Sequence, residues 1–324
     1  MTYHVLVTGA SGFVGRHLCA ALVRHGYAVT AISRRPDTQL SAMGVTVEPV
    51  ADLATATNLG TWLRTADTVV HLAGRVHQMQ EQAPDSIDAH VHNNVEATKV
   101  LADEAIRCGV RRFIFLSTAK VFGDGPFFEP LGPLLRPSPT DAYGRSKLEA
   151  EDWLLALDRS SAPEAVVVRP PLIYGPGVRA NFLQLIRLVD RGIPLPLARV
   201  NNVRSFVNVW NLCDFIIYLI AKQDAARGIW HVSDSEDCSI AELILEIAVL
   251  MGKSARLFAL PNWLLRAGMS LAGRRSEYDR LVGSLQLDIS NTLSTTDWRP
   301  PISRREGLGR TLSWYFGPEA VRNR

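Results

Sequence analysis

A tyrosine and a lysine four residues apart form the pair in this sequence best suited to proton transfer. Tyr143 and Lys147 lie in the run Tyr-Gly-Arg-Ser-Lys, and this spacing places both side chains on one face of a helix. A free tyrosine has a pKa of about 10, which a nearby ammonium group lowers by favouring the phenolate. Thr118 ends a predicted strand before this helix, and its hydroxyl can hydrogen-bond a reacting oxygen. We predict that these three residues form a catalytic set.

The spacing of the tyrosine and lysine is by itself a weak signal, and its weight comes from a glycine-rich loop near the start of the chain. Residues 8–15 read TGASGFVG, with the spacing G-x-x-G-x-x-G between a predicted strand and a predicted helix. Glycines let the backbone turn tightly and approach a pyrophosphate, which then lies at the positive end of the helix. We predict a dinucleotide site that uses Gly9, Ser11, Gly12, Phe13 and Gly15.

The residues after the second predicted strand bear on the choice between NAD and NADP. A carboxylate there binds the ribose 2′-hydroxyl, whereas an arginine accommodates a 2′-phosphate. This sequence has Ser33, Arg34 and Arg35 and no carboxylate, which favours NADP(H) and leaves NAD(H) open. Asp52 and Leu53 follow the third strand, where they could contact the adenine; an aspartate in this place could equally cap a helix.

Short aliphatic runs alternate with helical patterns through the first half of the chain. The predicted strands are His4–Thr8, Ala28–Ser33, Val45–Pro49, Thr68–Leu72, Phe113–Ser117 and Ala165–Arg169. The predicted helices between them include Val14–His25, Ser86–Cys108 and Tyr143–Leu157. This alternation predicts an α/β fold with a Rossmann-type, doubly wound parallel sheet. We expect a dinucleotide-binding domain over residues 1–168 and a smaller, partly interleaved substrate-binding lobe over residues 169–324, packed on the carboxyl edge of the sheet.

The second half of the chain mixes shorter elements. It shows helical patterns at Ala180–Arg191, Asn211–Lys222 and Ile240–Met251 and strand-like runs at Ser205–Val209 and Ile229–Val232.

Composition argues for a water-soluble protein. The 324 residues carry a net charge of +3 with acidic and basic residues interleaved, which is too little positive charge to predict nucleic-acid binding. The four cysteines lie far apart, so neither a disulfide framework nor a metal site is expected. The chain enters a predicted strand within a few residues, and its apolar runs are too short to cross a bilayer. We therefore expect a cytoplasmic protein without membrane insertion.

Several motifs together resemble one enzyme family. The glycine loop, HLAG at 71–74, NNVEAT at 93–98, FIFLSTAKVFG at 113–123, YGRSK at 143–147 and RPPLIYGPG at 169–177 occur in the order found in extended short-chain dehydrogenases/reductases of the NAD-dependent epimerase/dehydratase type. The resemblance covers nearly the whole chain and implies the catalytic set named above, with Tyr143 and Lys147 also contacting the cofactor. It further implies cofactor contacts by Leu72, Ala73, Gly74, Asn94 and Pro170.

The resemblance narrows the reaction. Family dehydratases carry an Asp-Glu pair directly after the catalytic Ser or Thr, whereas Ala119 and Lys120 stand there in this chain, which argues against dehydration. The sequence is similar to bacterial enzymes of surface-polysaccharide synthesis that reduce a UDP-2-acetamido-2,6-dideoxy-4-ketohexose to UDP-N-acetylquinovosamine, and also to UDP-sugar 4-epimerases with tightly bound NAD. We expect the ketoreductase and keep the 4-epimerase as the alternative.

The same resemblance implies a UDP-sugar substrate. Arg204 and Arg280 resemble the arginines that bind the diphosphate and Asn181 the amide that supports it, while Thr118 and His77 are expected to contact the sugar. Leu172 departs from the family pattern, because many members have a diphosphate-contacting Asn there.

Two further expectations concern the whole molecule. A non-catalytic NADP-binding sensor or scaffold is a second alternative, although relatives of that kind typically lose the tyrosine or the lysine. Family members often pair through the helices that carry the equivalents of Asn94 and Tyr143, so we expect a homodimer.

Overall fold

The computed structural model describes residues 2–75, 85–157, 162–222, 227–271, 273 and 275–318. The chain forms two compact units that exchange segments. The first unit comprises Met1–Gly123, Arg136–Pro170 and Cys213–His231, and the second comprises Asp124–Leu135, Pro171–Leu212 and Val232–Arg324. Residues 124–135 thus belong to the second unit and residues 213–231 to the first.

The strands form two parallel sheets among the described residues. They are His4–Thr8 (β1), Ala28–Ser33 (β2), Thr46–Pro49 (β3), Thr68–His71 (β4), Arg112–Leu116 (β5), Glu164–Arg169 (β6), Leu172–Tyr174 (β7), Phe206–Asn208 (β8) and Gly228–His231 (β9). The first unit has a seven-stranded sheet in the order β3-β2-β1-β4-β5-β6-β9. The first six strands follow the order typical of dinucleotide-binding folds, so the predicted Rossmann-type sheet is confirmed. In the second unit β7 pairs with β8.

The helices connect these strands and fill the second unit. They are Phe13–Arg24 (α1), Thr38–Ala42 (α2), Gly60–Leu63 (α3), Asp85–His90 (α4), Ala97–Arg107 (α5), Ala142–Ala156 (α6), Ala180–Asp190 (α7), Val209–Ala221 (α8), Ile240–Leu250 (α9), Asn262–Leu271 (α10), Arg275–Val282 (α11), Ser290–Thr295 (α12) and Arg304–Phe316 (α13). In the part of the chain that the structure describes, no helix combines the length and the apolar character that crossing a bilayer requires.

The predicted strands of the first unit agree with the observed ones to within one residue at either end. The long helix predicted over Ser86–Cys108 differs in detail, because a π-helical turn at Val91–Glu96 separates α4 from α5. π-Helical turns inside α-helices are frequent at functional sites, and this one carries Asn94. The strand-like run near residue 229 belongs to the large sheet as β9, paired with β6, and not to the C-terminal lobe as the sequence suggests.

The core of the first unit is the apolar layer between the sheet and its helices. Leu6, Phe113 and Val167 on the strands and Leu101 on α5 are fully buried in one cluster. Strands covered by helices on both faces are buried throughout, which accounts for their nearly continuous apolar sequences. This rigid sheet holds the carboxyl ends of β1, β2, β4 and β5, where the predicted site residues lie.

A buried carboxylate organises the interior of the second unit. Asp234 accepts hydrogen bonds from the hydroxyl of Tyr174 at 2.8 Å and from the side-chain amides of Asn208 and Asn211 at 2.9 and 2.7 Å. The two amides also donate to the carbonyl of Ile302. Burial raises the pKa of Asp234 to about 6, although these donors oppose the shift. The network ties β7, β8 and the start of α8 to the chain that precedes α13.

Candidate functional site

The glycine loop is shaped by contacts that leave no room for side chains. Gly9 has a φ of +68°, and a Cβ atom there would lie 2.6 Å from the backbone nitrogen of Ala73. A Cβ atom on Gly15 would lie 2.6 Å from the Cα of Ala10. Gly12 donates its N–H to the carbonyl of Gly9 at 2.9 Å and caps α1. The three glycines therefore bring the loop against the end of β4 and against the first turn of α1.

The first turn of α1 is suited to an anion. It has no acidic residue, and its N-cap Gly12 has no side chain that could satisfy the free N–H groups of the helix. Ser11 and Gly12 are exposed and Phe13 is half-buried. Free amides at the positive end of a helix bind phosphate groups, so this cradle fits the pyrophosphate of a dinucleotide.

No carboxylate directly follows β2 in the chain, where Ser33, Arg34 and Arg35 stand. The hydroxyl of buried Ser33 donates to the carbonyl of Arg35 at 2.6 Å, which closes a tight turn, and the side chains of Arg34 and Arg35 are exposed. The next acid along the chain, Asp37, caps α2 and pairs with Arg16 at 2.6 Å. Burial would raise the pKa of Asp37, but Arg16 and the helix amides outweigh it and hold the pKa below its ordinary value.

Asp52, which the sequence places near the adenine, has two partners in the structure. One carboxylate oxygen accepts from the backbone N–H of Ala54 at 3.0 Å, and the other lies 2.7 Å from Nε2 of His92 in the π-helical turn. The bond to His92 is the largest cause of a lowered pKa of Asp52. Leu53 is half-buried against the core of the first unit. Asp52 thus fixes the loop after β3 to the π-helical turn.

Thr118 follows β5 and begins a 3-10 turn at Ala119–Phe122. Its Oγ1 accepts the backbone N–H of Lys120 at 3.2 Å. This bond uses an oxygen lone pair, so the hydroxyl hydrogen can still be donated to a bound oxygen. The ammonium of Lys120 pairs with Asp141 at 2.6 Å, and Asp141 also caps α6 through the N–H of Gly144. Lys120, at a position where the resemblance implies an acid in dehydratases, is thus paired with Asp141.

Tyr143 and Lys147 lie one turn apart on α6, as predicted. Lys147 is buried, donates to the carbonyl of Leu116 at 3.0 Å and lies 4.5 Å from the centre of the Phe115 ring. Burial lowers the pKa of Lys147 to about 8, and Glu151 opposes that shift. Burial also raises the pKa of Tyr143, with a smaller contribution from Asp141. The protein's own groups therefore keep the phenol protonated, whereas the sequence led us to expect that Lys147 favours the phenolate.

Asn94 connects the loop after β4 to α6, the helix that carries Tyr143 and Lys147. Its side-chain oxygen accepts the N–H of Arg75 at 2.7 Å, and its side-chain nitrogen donates to the hydroxyl of Ser146 at 2.8 Å. Ser146 in turn donates to the carbonyl of Tyr143 at 2.9 Å. A Cβ atom on Gly74 would lie 3.1 Å from both the Asn94 oxygen and the Lys147 nitrogen. A side chain at residue 74 would therefore crowd the centre of the site.

The remaining predicted cofactor contacts also lie at the carboxyl ends of strands in the first unit. Leu72 and Ala73 follow β4 and donate their N–H groups to the carbonyl and the hydroxyl of Thr8, at 3.2 and 3.3 Å. Pro170 follows β6, and its carbonyl accepts the N–H of Ala119 at 2.8 Å.

Sequence reasoning missed a buried histidine that joins these elements. His71 is fully buried; its Nδ1 lies 2.6 Å from the hydroxyl of Thr8 and its Nε2 lies 3.0 Å from the hydroxyl of Thr98. Thr98 donates to the carbonyl of Asn94, so it must accept from Nε2–H, and Nδ1 then accepts from Thr8. Burial lowers the pKa of His71 to about 3, with Lys147 as a second cause. One neutral tautomer thus links the glycine loop to the turn that carries Asn94.

A second missed residue is Glu151, one turn after Lys147 on α6. Its buried carboxylate pairs with Arg169 at the end of β6. The spacing of four from Lys147 was visible in the sequence, but the partner on a distant strand was not.

The candidate substrate residues lie in the second unit. Arg204 donates from Nη1 to the carbonyl of Gly283 at 2.7 Å, just after α11, and burial lowers its pKa. Arg280 belongs to α11, but its side chain lies outside the described residues, as does all of His77. Asn181 is exposed in the first turn of α7, and Leu172 is exposed on β7. The structure therefore places Arg204 at the end of the helix that carries Arg280.

The second unit also contains a cavity of about 600 Å³. Glu129, Asp237 and Asp288 are among the residues that line it. Three carboxylates disfavour a diphosphate, so this cavity is a poor candidate for the substrate's charged group.

Comparison with known proteins decides the family. Residues 5–233 match the model of the NAD dependent epimerase/dehydratase family. The chain belongs to this family. Its glycine loop, its candidate catalytic residues and Asn94 all fall within the matched residues.

The relatives of this enzyme include both an epimerase and a reductase. UDP-glucose 4-epimerase of Vibrio cholerae is 38% identical over 319 residues, which cover 98% of this chain and 96% of that protein. GDP-6-deoxy-D-mannose reductase of Pseudomonas aeruginosa is 26% identical and covers 97% of each chain. The solved structure of MoeE5 in complex with UDP-glucuronic acid and NAD is 26% identical, with a TM-score of 0.75 over 99% of this chain and 100% of that one. Family membership therefore establishes an NAD-dependent type of enzyme and does not choose between reduction and epimerisation.

Proposed function

We propose that this family member reduces the C4 keto group of a UDP-2-acetamido-2,6-dideoxy-4-ketohexose with NADPH, in the synthesis of a surface polysaccharide. The observation that carries the proposal is the end of β2. Exposed Arg34 and Arg35 stand there, and the nearest following carboxylate, Asp37, is held by Arg16 and by α2. Guanidinium groups pair with a 2′-phosphate, and no carboxylate directly follows β2 to bind a 2′-hydroxyl. A phosphorylated cofactor suits an enzyme that exchanges it in every turnover.

The residues present fit such a cofactor. Gly9, Gly12 and Gly15 with the first turn of α1 would hold its pyrophosphate, and Lys147 its nicotinamide ribose. When bound, the reduced cofactor supplies the hydride for C4. The chain's own part is to bind, orient and protonate the sugar oxygen.

Tyr143 serves as the proton donor in this scheme. Burial keeps its phenol protonated by raising its pKa, which is the state that a general acid needs at the start of a carbonyl reduction. Thr118 donates its hydroxyl hydrogen to the same C4 oxygen and orients it, while Lys147 supplies positive charge next to the phenol. General acid catalysis of this kind contributes a factor of about 10²–10⁴. The rest of the rate enhancement comes from positioning and electrostatic stabilisation.

Residues of the second unit would recognise the nucleotide. We propose that Arg204 and Arg280 bind the diphosphate and that Asn181 and His77 add polar contacts. The hydrogen bond from Arg204 to Gly283 supports this scheme, because it brings one arginine to the end of the helix that carries the other. Leu172 cannot make the polar contact that an Asn would make there, so the arginines carry more of the recognition.

A 4-epimerase is the second candidate, favoured by the 38% identity to the Vibrio cholerae UDP-glucose 4-epimerase. Epimerisation would use the same residues, with Tyr143 removing and returning the C4 hydroxyl proton. It would require the protein to retain NAD throughout the reaction.

One assay separates the two reactions. The protein is mixed with the 4-ketohexose substrate and NADPH, with NADH in parallel, and cofactor oxidation is followed by absorbance. The proposal predicts stoichiometric oxidation, faster with NADPH, and one 4-hydroxy product; Tyr143→Phe should be at least about 10²-fold slower. Interconversion of UDP-sugar C4 epimers without added cofactor, and no oxidation of either cofactor, would instead establish the epimerase.

A further inference from the structure

Helix α10 presents an apolar stripe to solvent. Trp263 and Leu271 are 71% and 91% exposed, and Leu264 is also exposed. Ala267 and Gly268 are exposed between them. Residues spaced by four and by seven lie on one face of a helix, so these five residues form one continuous outward face. Monomeric proteins rarely expose contiguous large apolar groups without a partner.

The opposite face of α10 packs inward. Leu265 is buried, and Met269, one turn later, is half-buried. The helix is therefore anchored in the second unit by its own apolar residues. The exposed stripe is not needed for that packing.

The sequence from the loop before α10 to the start of α11 carries one sign of charge, and Glu277 and Asp279 follow on α11. Residues 252–275 contain no Asp or Glu and five basic residues, although the whole chain has a net charge of only +3. Arg256 and Arg266 are exposed, and Phe258 adds a further exposed aromatic ring. Lys253 pairs with Asp190 and so contributes less free charge. Exposed apolar and basic groups thus occur together in one segment of the chain.

We propose that α10 docks this protein onto an anionic membrane surface. Trp263, Leu264 and Leu271 enter the boundary between headgroups and acyl chains, while Arg256 and Arg266 contact lipid phosphates. An amphipathic helix of this type lies in the plane of the interface with its apolar face about 5–10 Å deep. Tryptophan favours this depth because its ring is apolar and its N–H is polar.

The positive charge near α10 favours an anionic membrane over a second copy of the chain as the partner of this helix. Two copies joined through α10 would bring Arg266 of each protomer near the same basic segment of the other, and residues 252–275 offer no carboxylate to compensate. A phospholipid surface supplies that negative charge, with about 1 kcal/mol for each basic residue near it. The proposal is independent of the reaction that the enzyme catalyses.

The test is co-sedimentation of the full chain with vesicles. Phosphatidylglycerol–phosphatidylethanolamine vesicles are compared with phosphatidylcholine vesicles, at low and at high salt. We expect wild-type protein to sediment with the anionic vesicles and to bind about tenfold more weakly to the neutral ones or at high salt. Trp263→Ser/Leu271→Ser should weaken binding to anionic vesicles at least about tenfold.

The matched control is Leu245→Ser/Val249→Ser, which removes two exposed apolar side chains spaced by four on α9. Its binding should stay within about twofold of wild type. Because all four residues are exposed, the thermal midpoints should also match wild type. Arg256→Glu/Arg266→Glu tests the charges and should abolish the preference for anionic lipid.

Three outcomes would overturn the proposal. The first is wild-type protein that stays in the supernatant with anionic vesicles at low salt. The second is equal binding by the α10 variant and the α9 control. The third is size-exclusion chromatography that shows a wild-type dimer and a monomeric α10 variant, because α10 would then be a contact between copies.

Discussion

The guanidinium of Arg169 donates from Nε to both carboxylate oxygens of Glu151, at 3.1 Å each, in the interior of the first unit. Glu151 lies one helical turn after Lys147, and its negative charge opposes the fall in the pKa of that lysine caused by burial. Burial raises the pKa of Glu151, and the hydrogen bonds and positive charge of Arg169 oppose that shift and so favour the charged carboxylate. The carboxylate of this pair therefore favours the charged form of Lys147 from one helical turn away.

Replacing Glu151 should change how activity depends on pH. The folded-state pKa of Lys147 is about 8, so the charged form is present below that pH and is lost as the pH rises through it. If the ammonium is required, kcat/KM falls above about pH 8. Glu151→Gln removes the opposing negative charge and should move this alkaline limb to lower pH.

Glu149→Gln is the control for that experiment, because Glu149 lies on the same helix and is exposed. Its pH profile should match wild type. Complete removal of the carboxylate in Glu151→Ala leaves Arg169 unpaired and should lower the free energy of unfolding by about 3–5 kcal/mol. An unchanged alkaline limb in Glu151→Gln would show that Glu151 does not act on the pKa of Lys147.

His71→Leu should destabilise the first unit and reduce the change in the free energy of unfolding with pH. The substitution leaves the hydroxyls of Thr8 and Thr98 without a partner on this ring, at a cost of about 1–3 kcal/mol each. The pKa of His71 is lowered to about 3 in the folded chain, against 6.5 for a free histidine. As the pH falls from 6.5 toward 3, His71 is protonated in the unfolded state but not in the folded state. Wild type then loses up to about 1.4 kcal/mol per pH unit from this residue, and the variant does not.

Urea unfolding at several pH values measures that difference. His25→Gln is the control, because His25 is exposed. The slope of its free energy of unfolding against pH should equal that of wild type. Equal slopes for wild type and His71→Leu would mean that His71 is charged in the folded protein and not the neutral tautomer that its bonds to Thr8 and Thr98 require.

Gly15→Ala should weaken cofactor binding more than it weakens folding. The added methyl would press on Ala10 and on the carbonyl of Gly9, and the loop would have to move away from the pyrophosphate. We expect the Kd for the dinucleotide to rise at least about tenfold by isothermal titration calorimetry. Gly309→Ala on α13 is the control, since a Cβ atom there meets nothing within 4 Å. Equal Kd values for the two variants would contradict the proposed cradle.

Arg34→Ala/Arg35→Ala tests the choice of cofactor. If these arginines bind a 2′-phosphate, KM for NADPH should rise about tenfold or more, while KM for NADH stays within about twofold. Arg305→Ala, which removes an exposed arginine from α13, is the matched control. A loss of the same size with both cofactors would show that the arginines do not bind the phosphate.

The sequence allowed much of the first unit to be predicted, because parallel strands covered by helices are short apolar runs between turn residues. Periodicity predicted α1 and α6 to within one residue at either end. It did not predict the π-helical turn at Val91–Glu96, because one residue more per turn changes the apolar pattern very little over a single turn. The pairing of β9 with β6 was also missed, since it joins segments far apart in the sequence.

The residues of the candidate site also fall into those that local motifs indicate and those that depend on distant contacts. Local motifs predicted Gly9, Thr118, Tyr143 and Lys147 as site residues, because the spacing of such motifs can be read from near neighbours in the chain. Residues that act through distant partners were not found: His71 bonds to β1 and α5, and nothing in HLAG indicates that. The pKa direction of Tyr143 was wrong for the protein alone, because spacing reports the nearby lysine and not the burial of the phenol.

The most direct measurement follows the hydride itself. Reduced cofactor carrying deuterium at nicotinamide C4 is incubated with the protein and the UDP-4-ketohexose, and the sugar product is examined by mass spectrometry and NMR. If the protein is a reductase that uses free cofactor, cofactor labelled on the transferred face should give one deuterium at C4 of the sugar. Cofactor labelled on the opposite face should give none. The amounts of oxidised cofactor and of sugar product should be equal. No deuterium in the sugar from either labelled cofactor, together with interconversion of the C4 epimers of an added UDP-sugar on retained NAD, would contradict the proposed ketoreduction.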